Sequence, residues 1–131
     1  MQNKDSDAGK RQPVILFADD DALCLDVGVR MMQKLGYTVL EARDGQEAIE
    51  VYKNNRNAVD LVILDMRMPH NGGLTFENLR KMDKGVKILI TSGFTEDSGI
   101  RRLIKHGCEG FIQKPFSLTI LSKKILNALK N

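Results

Sequence analysis

Short apolar segments alternate along the chain with longer segments whose apolar residues recur at helical spacing. The short segments predict five strands, at Val14 to Ala18, Thr38 to Ala42, Leu61 to Leu64, Lys87 to Thr91 and Gly110 to Gln113. The longer segments predict five helices, at Ala22 to Leu35, Gln46 to Asn54, Leu74 to Met82, Glu96 to His106 and Leu118 to Lys130. This succession of strand and helix predicts a parallel sheet covered by helices on both faces, with right-handed crossovers.

Local signals support this division of the chain. The third strand is apolar throughout, which is typical of a strand buried on both faces of a sheet. In the first helix, apolar side chains recur at helical spacing, at Leu23, Val27, Met31 and Leu35. Gly36 follows and suits a left-handed residue at the end of that helix.

The composition is that of one ordinary domain. The chain has 131 residues and a net charge of +3, with both signs mixed along it, so neither a nucleic-acid arm nor a polybasic membrane patch is predicted. No apolar run approaches the roughly 18 residues that span a bilayer. Cys24 and Cys108 lack the spacing of a metal or redox pair, which favours two reduced thiols in a cytoplasmic protein. Residues 1–11 are polar and are interpreted as a disordered lead or linker before a domain over residues 12–131.

Polar side chains lie at the ends of four predicted strands. Asp19 to Asp21 follow the first strand, Asp65 follows the third, Thr91 to Gly93 end the fourth, and Lys114-Pro115 follows the fifth. The carboxyl ends of parallel strands share one edge of the sheet, and ligands bind there, where the strand order reverses. We therefore expect several carboxylates, a hydroxyl and one lysine to converge on one shallow site.

The crowded carboxylates suggest a metal ion. Acids at the end of an apolar strand are costly unless they are paired or metal-bound, which favours metal binding by Asp19 and Asp20. Carboxylate oxygens suit Mg²⁺, which takes few carboxylates and keeps several waters, whereas His70 and His106 are not spaced as ligands. The alternative, helix capping, fits Asp21 because aspartate is a preferred N-cap residue. The pattern predicts a magnesium site rather than a zinc site.

Asp65 is the candidate nucleophile of this site. An acid in this position could simply cap a loop, but a carboxylate beside a divalent cation can also attack phosphorus and form an aspartyl phosphate. Lys114 offers a compact positive charge for a phosphoryl oxygen. Ser92 can donate a hydrogen bond to another oxygen, and Gly93 leaves room for the group to enter. These residues together predict a site that accepts a phosphoryl group.

Four segments together resemble the receiver domain of two-component response regulators, of the kind found in chemotaxis regulators. Each segment contains one of the strand ends described above, and they are Phe17 to Asp21, Asp60 to Pro69, Ile90 to Phe94 and Phe111 to Phe116. Each segment alone is a weak signal, whereas all four in this order are specific. The resemblance extends from Pro13 to about Lys130.

The resemblance implies both a fold and a metal site. The fold would be flavodoxin-like, a doubly wound (βα)5 three-layer sandwich of the α/β class with parallel sheet order 2-1-3-4-5. Asp20, Asp65 and the backbone carbonyl of Arg67 would contact Mg²⁺ directly, and Asp19 would act through a bound water. A cis peptide at Lys114-Pro115, essentially a property of proline, would hold Lys114 at the site.

The resemblance also implies switch residues. It makes Ser92 rather than Thr91 the switch hydroxyl, because the interval from Ser92 to Lys114 fits the family's spacing. Phe111 would be the aromatic switch that turns inward after phosphorylation. The alternative for Phe111 is plain core packing, since phenylalanine is commonly buried in any case.

The implied function is that of a phosphorelay receiver rather than a turnover enzyme. Asp65 would take a phosphoryl group from a histidine kinase or phosphotransfer protein, and the chain would catalyse only its own phosphorylation and dephosphorylation. Arg67 and Phe94 would tune the lifetime of the phosphoryl group. A protein effector would bind the surface of the fourth helix, fifth strand and fifth helix, and a phosphorylation-linked homodimer is compatible with the family. The chain would be a stand-alone regulator or the receiver of a hybrid kinase.

Three positions depart from the commonest family pattern. Residues 70–73 form an unusual loop after Pro69, and Thr91 to Phe94 resembles receivers attached to hybrid sensor kinases. Phe111 stands where tyrosine is also common, so that position offers no hydroxyl. None of these differences removes a residue of the expected phosphorylation site.

Other functions agree less well with the same residues. A magnesium-dependent phosphatase with an aspartyl nucleophile usually carries a second acid two residues later, where this chain has Arg67, which cannot act as a general acid. A nucleotide- or flavin-binding protein is disfavoured because no Gly-rich phosphate loop follows the first strand. Direct nucleic-acid binding is disfavoured because no helix-turn-helix or other output segment after Lys130 supports it. A receiver-like interaction module that no longer takes phosphate is disfavoured by the complete set of acids, hydroxyl and lysine.

Overall fold

The computed structural model describes residues 11–67, 72–93 and 98–130. Five strands form one parallel sheet, namely β1 (Val14–Ala18), β2 (Thr38–Ala42), β3 (Leu61–Asp65), β4 (Ile88–Ser92) and β5 (Gly110–Gln113). Their order in the sheet is β2-β1-β3-β4-β5. The predicted flavodoxin-like topology is confirmed.

Five helices connect and follow these strands, namely α1 (Ala22–Lys34), α2 (Gly45–Asn55), α3 (Gly72–Met82), α4 (Ser98–Lys105) and α5 (Leu118–Lys130). Most bounds agree with the predicted ones to within one or two residues. The loop at residues 68–71 lies outside the described residues, and so do residues 94–97, which include the first two residues of the predicted fourth helix. No described helix has the length and apolar character needed to cross a membrane.

The hydrophobic core lies in two layers, one on each face of the sheet. Successive residues of β1 and β3 alternate between the layers, because side chains of a strand point to opposite faces in turn. The first layer packs under α2, α3 and α4, and its buried members include Leu16, Leu64, Tyr52, Phe76 and Leu103. The second layer packs under α1 and α5, and its buried members include Phe17, Ile63, Met32, Leu121 and Ile125. Every residue of β3 is buried, as its apolar sequence predicts.

The strand register brings the four polar ends level with one another. β1 pairs with β3 so that Ala18 lies beside Leu64, and β3 pairs with β4 so that Asp65 lies beside Thr91. β4 in turn places Ser92 beside Gln113 of β5. The residues that follow or end these strands therefore meet at one edge of the sheet.

Helix α1 begins and ends as the sequence predicts. The side chain of Asp21 accepts hydrogen bonds from the backbone amides of Leu23 at 2.9 Å and Cys24 at 3.0 Å, so it is the N-cap residue. These bonds to Cys24 and Leu23 lower the pKa of Asp21 against the opposing effect of burial. After the helix, Gly36 has a φ of 98°, which is the left-handed conformation expected of a residue after a helix end.

The side of α1 that faces the core is not the apolar side predicted from the helical spacing of Leu23, Val27, Met31 and Leu35. Leu25, Val29 and Met32 are buried against the sheet. Leu23 and Val27 belong to the predicted side but are 71% and 45% exposed. The helix therefore carries apolar side chains on two sides, one of them turned to solvent.

Arg11 ties the start of the described chain to the domain. Its guanidinium nitrogens each lie 3.1 Å from a carboxylate oxygen of Asp60, and Asp60 also accepts a hydrogen bond from the backbone amide of Val14 at 2.8 Å. Asp60 thereby joins the residue before β3 to the first residue of β1. Residues 1–10, most of the predicted lead, lie outside the described part.

Candidate functional site

Three carboxylates gather at the carboxyl edge of the sheet. Asp19 follows β1, Asp65 ends β3, and both are buried, whereas Asp20 is exposed. Each offers one oxygen, and these oxygens all lie within 4.8 Å of one another. The sequence prediction that these acids converge is confirmed in its geometry.

Lys114 lies among the same carboxylates. Its Nζ atom is 2.7 Å from Oδ2 of Asp19 and 3.3 Å from Oδ2 of Asp65. The backbone amide of Lys114 donates to the carbonyl of Ser92 at 2.8 Å, which holds the residue after β5 against the end of β4. The Lys114-Pro115 peptide bond is cis, as predicted.

Backbone amides orient the second oxygen of each buried acid. The amide of Asp21 donates to Oδ1 of Asp19 at 2.9 Å, and the amide of Arg67 donates to Oδ1 of Asp65 at 3.1 Å. The amide of Met66 donates to the carbonyl of Thr91 at 2.9 Å, which keeps the chain after Asp65 beside β4. Asp19 and Asp65 are thus fixed side chains whose Oδ2 atoms face Lys114.

The electrostatics of the edge favour an added positive charge. Burial raises the pKa of Asp65 above its ordinary value, and the nearby Asp19 carboxylate acts in the same direction, while the Arg67 amide and Lys114 oppose the change. Burial by itself would lower the pKa of Lys114, but the contacts with Asp19 and Asp65 outweigh it and raise that pKa. One lysine is therefore shared by two buried carboxylates, with a third close by.

The donor set suits a hard divalent cation. Three carboxylate oxygens in one small volume are ligands that Mg²⁺ prefers, whereas zinc sites are built mainly from histidine and cysteine. Asp20 is open to solvent, so a cation there could keep several waters. Asp19, Asp20 and Asp65 can therefore hold a metal ion, and their chemistry fits magnesium.

Two hydroxyls lie at the end of β4. Ser92 and Thr91 are both buried, and Thr91 is level with Asp65 in the sheet. Among the described residues, the Oγ1 atom of Thr91 has no hydrogen-bond partner. Gly93 follows, and a Cβ added there would have no heavy atom of the described residues within 4 Å, so these residues leave space at that point.

Phe111 occupies the position expected of the aromatic switch. It lies beside Ile90 of β4 and is partly buried against the core layer under α2, α3 and α4. Its packing is consistent with both predicted roles, a switch and a core residue. Phe94, the second residue predicted to tune the phosphoryl lifetime, lies outside the described residues.

The sequence prediction missed an apolar concavity beside the site. A cavity of about 510 Å³ lies between α1 and the chain after β5, and its lining includes Leu23, Val27, Met31, Lys114 and Phe116. The sequence does contain a signal for this concavity, because α1 carries more apolar residues than its buried face requires. Lys114 was expected at the same edge of the sheet, but its ion pair with Asp19 was not predicted, because strand direction does not fix which side chains make contact.

Comparison with known proteins gives a consistent picture. The family model described as "Response regulator receiver domain" matches residues 15–126. The sensor kinase CckA of Brucella abortus is 38% identical over 128 residues, which cover 97% of this chain but 13% of CckA. The chemotaxis protein CheY of Thermotoga maritima is 34% identical over 110 residues, which cover 82% of this chain and 88% of CheY.

Solved structures agree with the sequence comparisons. A response regulator receiver domain protein of Clostridium thermocellum superposes with a TM-score of 0.86 at 27% identity, covering 90% of this chain and 94% of that one. The chain thus spans a small part of some relatives, such as CckA, and nearly the whole of others.

Proposed function

Because the chain belongs to the family of response regulator receiver domains of two-component systems, we propose that it accepts a phosphoryl group on Asp65 from a histidine kinase or phosphotransfer protein. The observation that carries this proposal is the meeting of Asp19, Asp20 and Asp65 with Lys114 at one edge of the sheet. Of the three acids, Asp65 is held by the Arg67 amide and lies beside Thr91 at the end of β4, two residues before Gly93.

In the transfer, a carboxylate oxygen of Asp65 attacks the phosphorus of a phosphohistidine as the bond from phosphorus to the imidazole nitrogen breaks. Asp20, Asp65 and the backbone carbonyl of Arg67 would hold Mg²⁺, with Asp19 acting through a water, and the ion would supply positive charge for the phosphoryl oxygens. Lys114 pairs with one phosphoryl oxygen, and Ser92 donates a hydrogen bond to another. The chain contributes mainly position and charge, as in phosphoryl transfer generally.

The transferred group changes the partners of Lys114. An ammonium that is shared between Asp19 and Asp65 gains a phosphoryl oxygen in place of a carboxylate. Because the Lys114 amide bonds to the Ser92 carbonyl, movement of either residue is passed to the other. The ends of β4 and β5 therefore respond as one unit.

The output surface is formed by α4, β5 and α5. When Ser92 turns toward the phosphoryl group, the chain after β4 shifts, and Phe111 on β5 moves into the space left beneath α4. Phosphorylation thereby biases a two-state equilibrium of this surface, which a protein effector reads. Hydrolysis of the aspartyl phosphate returns the surface to its first state.

The phosphodonor docks on the solvent-facing apolar side of α1. Leu23 and Val27 are exposed there and line a cavity that reaches Lys114. A donor histidine must come within bonding distance of Asp65, so the protein that carries it has to cover the surface next to this edge. Exposed apolar side chains beside a reactive edge are typical of a protein interface.

The chain acts once per phosphoryl group rather than as a turnover enzyme. Hydrolases with an aspartyl nucleophile need a proton donor for the leaving group, and the residue two positions after Asp65 is Arg67, which cannot supply one. Arg67 instead lies beside the path of the hydrolytic water, and with Phe94 it sets how long the phosphoryl group persists.

Labelling with acetyl phosphate tests the acceptor. The protein in Mg²⁺ should gain one phosphoryl group, seen by intact-mass spectrometry and removed by hydroxylamine, and chelation of Mg²⁺ should prevent the gain. Asp65→Asn should abolish labelling, whereas Asp60→Asn, an acid at the other end of β3, should leave it intact. Equal hydroxylamine-sensitive labelling of Asp65→Asn and the unmodified chain would contradict the assignment.

A further inference from the structure

A second concave surface lies between α3 and α4. It is a groove of about 550 Å³ lined by the C-terminal parts of both helices and the turn after α3. Its apolar lining is Phe76 and Leu103, which are only 2% and 1% exposed and form a closed floor. No residue of the acidic edge lines this groove, so it is separate from the proposed phosphorylation site.

Arg80 holds the two walls of the groove together. Its guanidinium lies 4.9 Å from the ring centre of Phe76 on its own helix. It donates hydrogen bonds to the carbonyls of His106 at 3.3 Å and Gly107 at 2.7 Å, just after α4, and to the carbonyl of Val86 at 3.1 Å. The groove therefore has a defined shape, because the ends of α3 and α4 are joined across it.

The rim of the groove is strongly basic. Lys81 and Lys84 on one side and Arg102 on the other are exposed, and the partly buried Arg80 adds a further positive charge. Among the described residues that line the groove, Glu77 is the one acid. The nearby Asp83 is turned elsewhere, since it accepts hydrogen bonds from the Tyr52 hydroxyl at 2.7 Å and the Gly85 amide at 3.0 Å.

Helix dipoles explain only part of this charge. Basic side chains are favourable in the last turn of a helix, and Arg80, Lys81 and Arg102 occupy such positions. Lys84 lies beyond the end of α3, yet it faces the same groove. Arg102 pairs with Glu77 at 3.6 Å, but both side chains are at least half exposed, so this pair contributes little and exchanges readily for another carboxylate.

We propose that the groove between α3 and α4 binds an acidic segment of a partner protein. The partner's carboxylates would pair with Lys81, Lys84 and Arg102, and Arg102 would exchange Glu77 for a partner carboxylate. Electrostatic complementarity of this kind sets the choice of partner and the rate of encounter. Binding in the groove requires no phosphoryl group on Asp65, so it is independent of the function proposed above.

The groove suits a protein segment better than a nucleic acid. Sites for single-stranded nucleic acid combine basic side chains with aromatic faces on which bases stack. The described lining holds two aromatic side chains, namely Phe76, which is buried and covered by Arg80, and the exposed imidazole of His106. The basic side chains surround a floor of Leu103 and of Phe76 covered by a guanidinium, and they offer charged partners to carboxylates. The single imidazole of His106 does not form the series of aromatic faces on which successive bases stack.

Fluorescence anisotropy with a labelled oligoglutamate peptide tests the proposal on the whole chain. The unmodified protein should bind the peptide in a salt-sensitive manner. Lys81→Glu combined with Lys84→Glu should weaken binding by about tenfold or more, since two attractions become repulsions. Lys34→Glu combined with Lys53→Glu makes the same change in net charge on α1 and α2, away from the groove, and should retain binding. Equal loss in both double variants would overturn the proposal.

Two further measurements sharpen the test. Glu77→Gln should tighten peptide binding, because it removes the carboxylate that competes for Arg102, and unchanged or weaker binding contradicts the exchange at Arg102. Circular dichroism should show the same thermal unfolding for both double variants, so that loss of binding reflects charge. A single-stranded oligonucleotide of equal charge should bind more weakly than the peptide, and tighter binding at the same lysines would overturn the choice of partner.

Discussion

The ammonium of Lys114 lies 2.7 Å from the carboxylate of Asp19, although the two residues are separated by most of the chain. Asp19 is fully buried, while the side chain of Lys114 keeps 19% of its exposure. The lysine is therefore the counter-charge that makes a buried acid tolerable before any cation or phosphoryl group arrives. The proposed function adds a second role for the same side chain, that of a signalling residue once Asp65 carries a phosphoryl group.

Removal of this counter-charge should make folding depend on magnesium. Lys114→Ala removes the ammonium that pairs with Asp19 and Asp65. When a chelator keeps Mg²⁺ away, we expect the free energy of unfolding to fall by about 2 kcal/mol. Mg²⁺ should restore more stability to Lys114→Ala than to the unmodified chain, because it supplies the missing charge. Urea unfolding with and without Mg²⁺ measures both effects. Lys53→Ala, an exposed lysine on α2, is the control, and an equal response of the two variants would show that Lys114 is not the counter-charge.

The same variant separates acceptance from signalling. Lys114→Ala should still take a phosphoryl group from acetyl phosphate on Asp65, because the attacking carboxylate is intact. Amide chemical shifts of α4, β5 and α5 should no longer respond to the phosphoryl mimic beryllofluoride in Mg²⁺. A response equal to that of the unmodified chain would show that Lys114 does not couple the site to this surface.

The acids after β1 should differ in their effect on metal affinity. Asp20→Asn removes one of the three clustered carboxylates and should weaken Mg²⁺ binding by about tenfold or more. Because Asp20 is exposed, its replacement should change stability by only about 0.5 kcal/mol. Asp21→Asn is the matched control, since asparagine is an equally good N-cap residue, and it should leave Mg²⁺ affinity nearly unchanged. Calorimetric titration with Mg²⁺ distinguishes the two, and equal affinities would exclude Asp20 from the metal site.

The apolar side chains on the exposed side of α1 should affect the rate of phosphoryl transfer from a protein donor but not from a small-molecule donor. Leu23→Ser combined with Val27→Ser should slow transfer from a phosphorylated kinase by about tenfold, as the loss of central apolar contacts does in protein interfaces. Labelling by acetyl phosphate should keep its rate, because Asp65 and its neighbours are untouched. Ile104→Ser combined with Leu126→Ser, which alters exposed apolar residues on α4 and α5, should leave transfer unchanged. Equal slowing by both double variants would contradict docking on α1.

Tyr52 should contribute a stability that is lost in alkali. Its hydroxyl donates to Asp83 at 2.7 Å, and burial, with the hydrogen bond to Asp83, raises the pKa of Tyr52 from 10.0 to about 12. Because the pKa of Tyr52 is higher in the folded chain, the folded chain holds this proton more tightly than the unfolded chain does. The resulting stabilisation is complete below the unfolded pKa of 10.0 and is lost as the pH rises toward the folded pKa of about 12. Between about pH 9 and pH 11 the loss should be about 1 kcal/mol.

Tyr52→Phe isolates this effect from the titration of other groups. The variant should be less stable than the unmodified chain by about 1 kcal/mol near neutral pH, through loss of the hydrogen bond. The difference between the two chains should shrink as the pH rises from about 9 to about 11. Urea unfolding at a series of pH values gives the difference directly, and a constant difference across the window would exclude the coupling.

The sequence predicts the fold well because its pattern is repetitive and local. Five alternating strands and helices, four of the strands with polar ends, leave few topologies. Asp21 and Gly36 mark the bounds of α1 through chemistry confined to one helical turn. Gathering of Asp19, Asp20 and Asp65 follows from strand direction alone, without knowledge of any side-chain position. The magnesium, the phosphoryl group and the roles of Ser92 and Phe111 remain predictions.

The spacing of apolar and polar residues along the sequence does not predict contacts between side chains that are distant in the chain. Periodicity marks Leu23 and Val27 as apolar but does not say which side of α1 meets the sheet, and the burial of Leu25, Val29 and Met32 decides it. The reach of Arg80 across to the end of α4 depends on the distance between two helices, which is set by packing of the whole layer. Such pairings follow from the three-dimensional arrangement rather than from any segment.

The bonds of Arg80 to the carbonyls of His106 and Gly107 fix one end of α4 and so define a pivot. The helix has eight residues, which makes a lever of about 12 Å. A rotation of about 10° about the anchored end would carry the start of the helix by about 2 Å while leaving all of these bonds in place. A small displacement near Ser92 would therefore tilt α4. The N-terminal end of the helix would move while its C-terminal end stays in place.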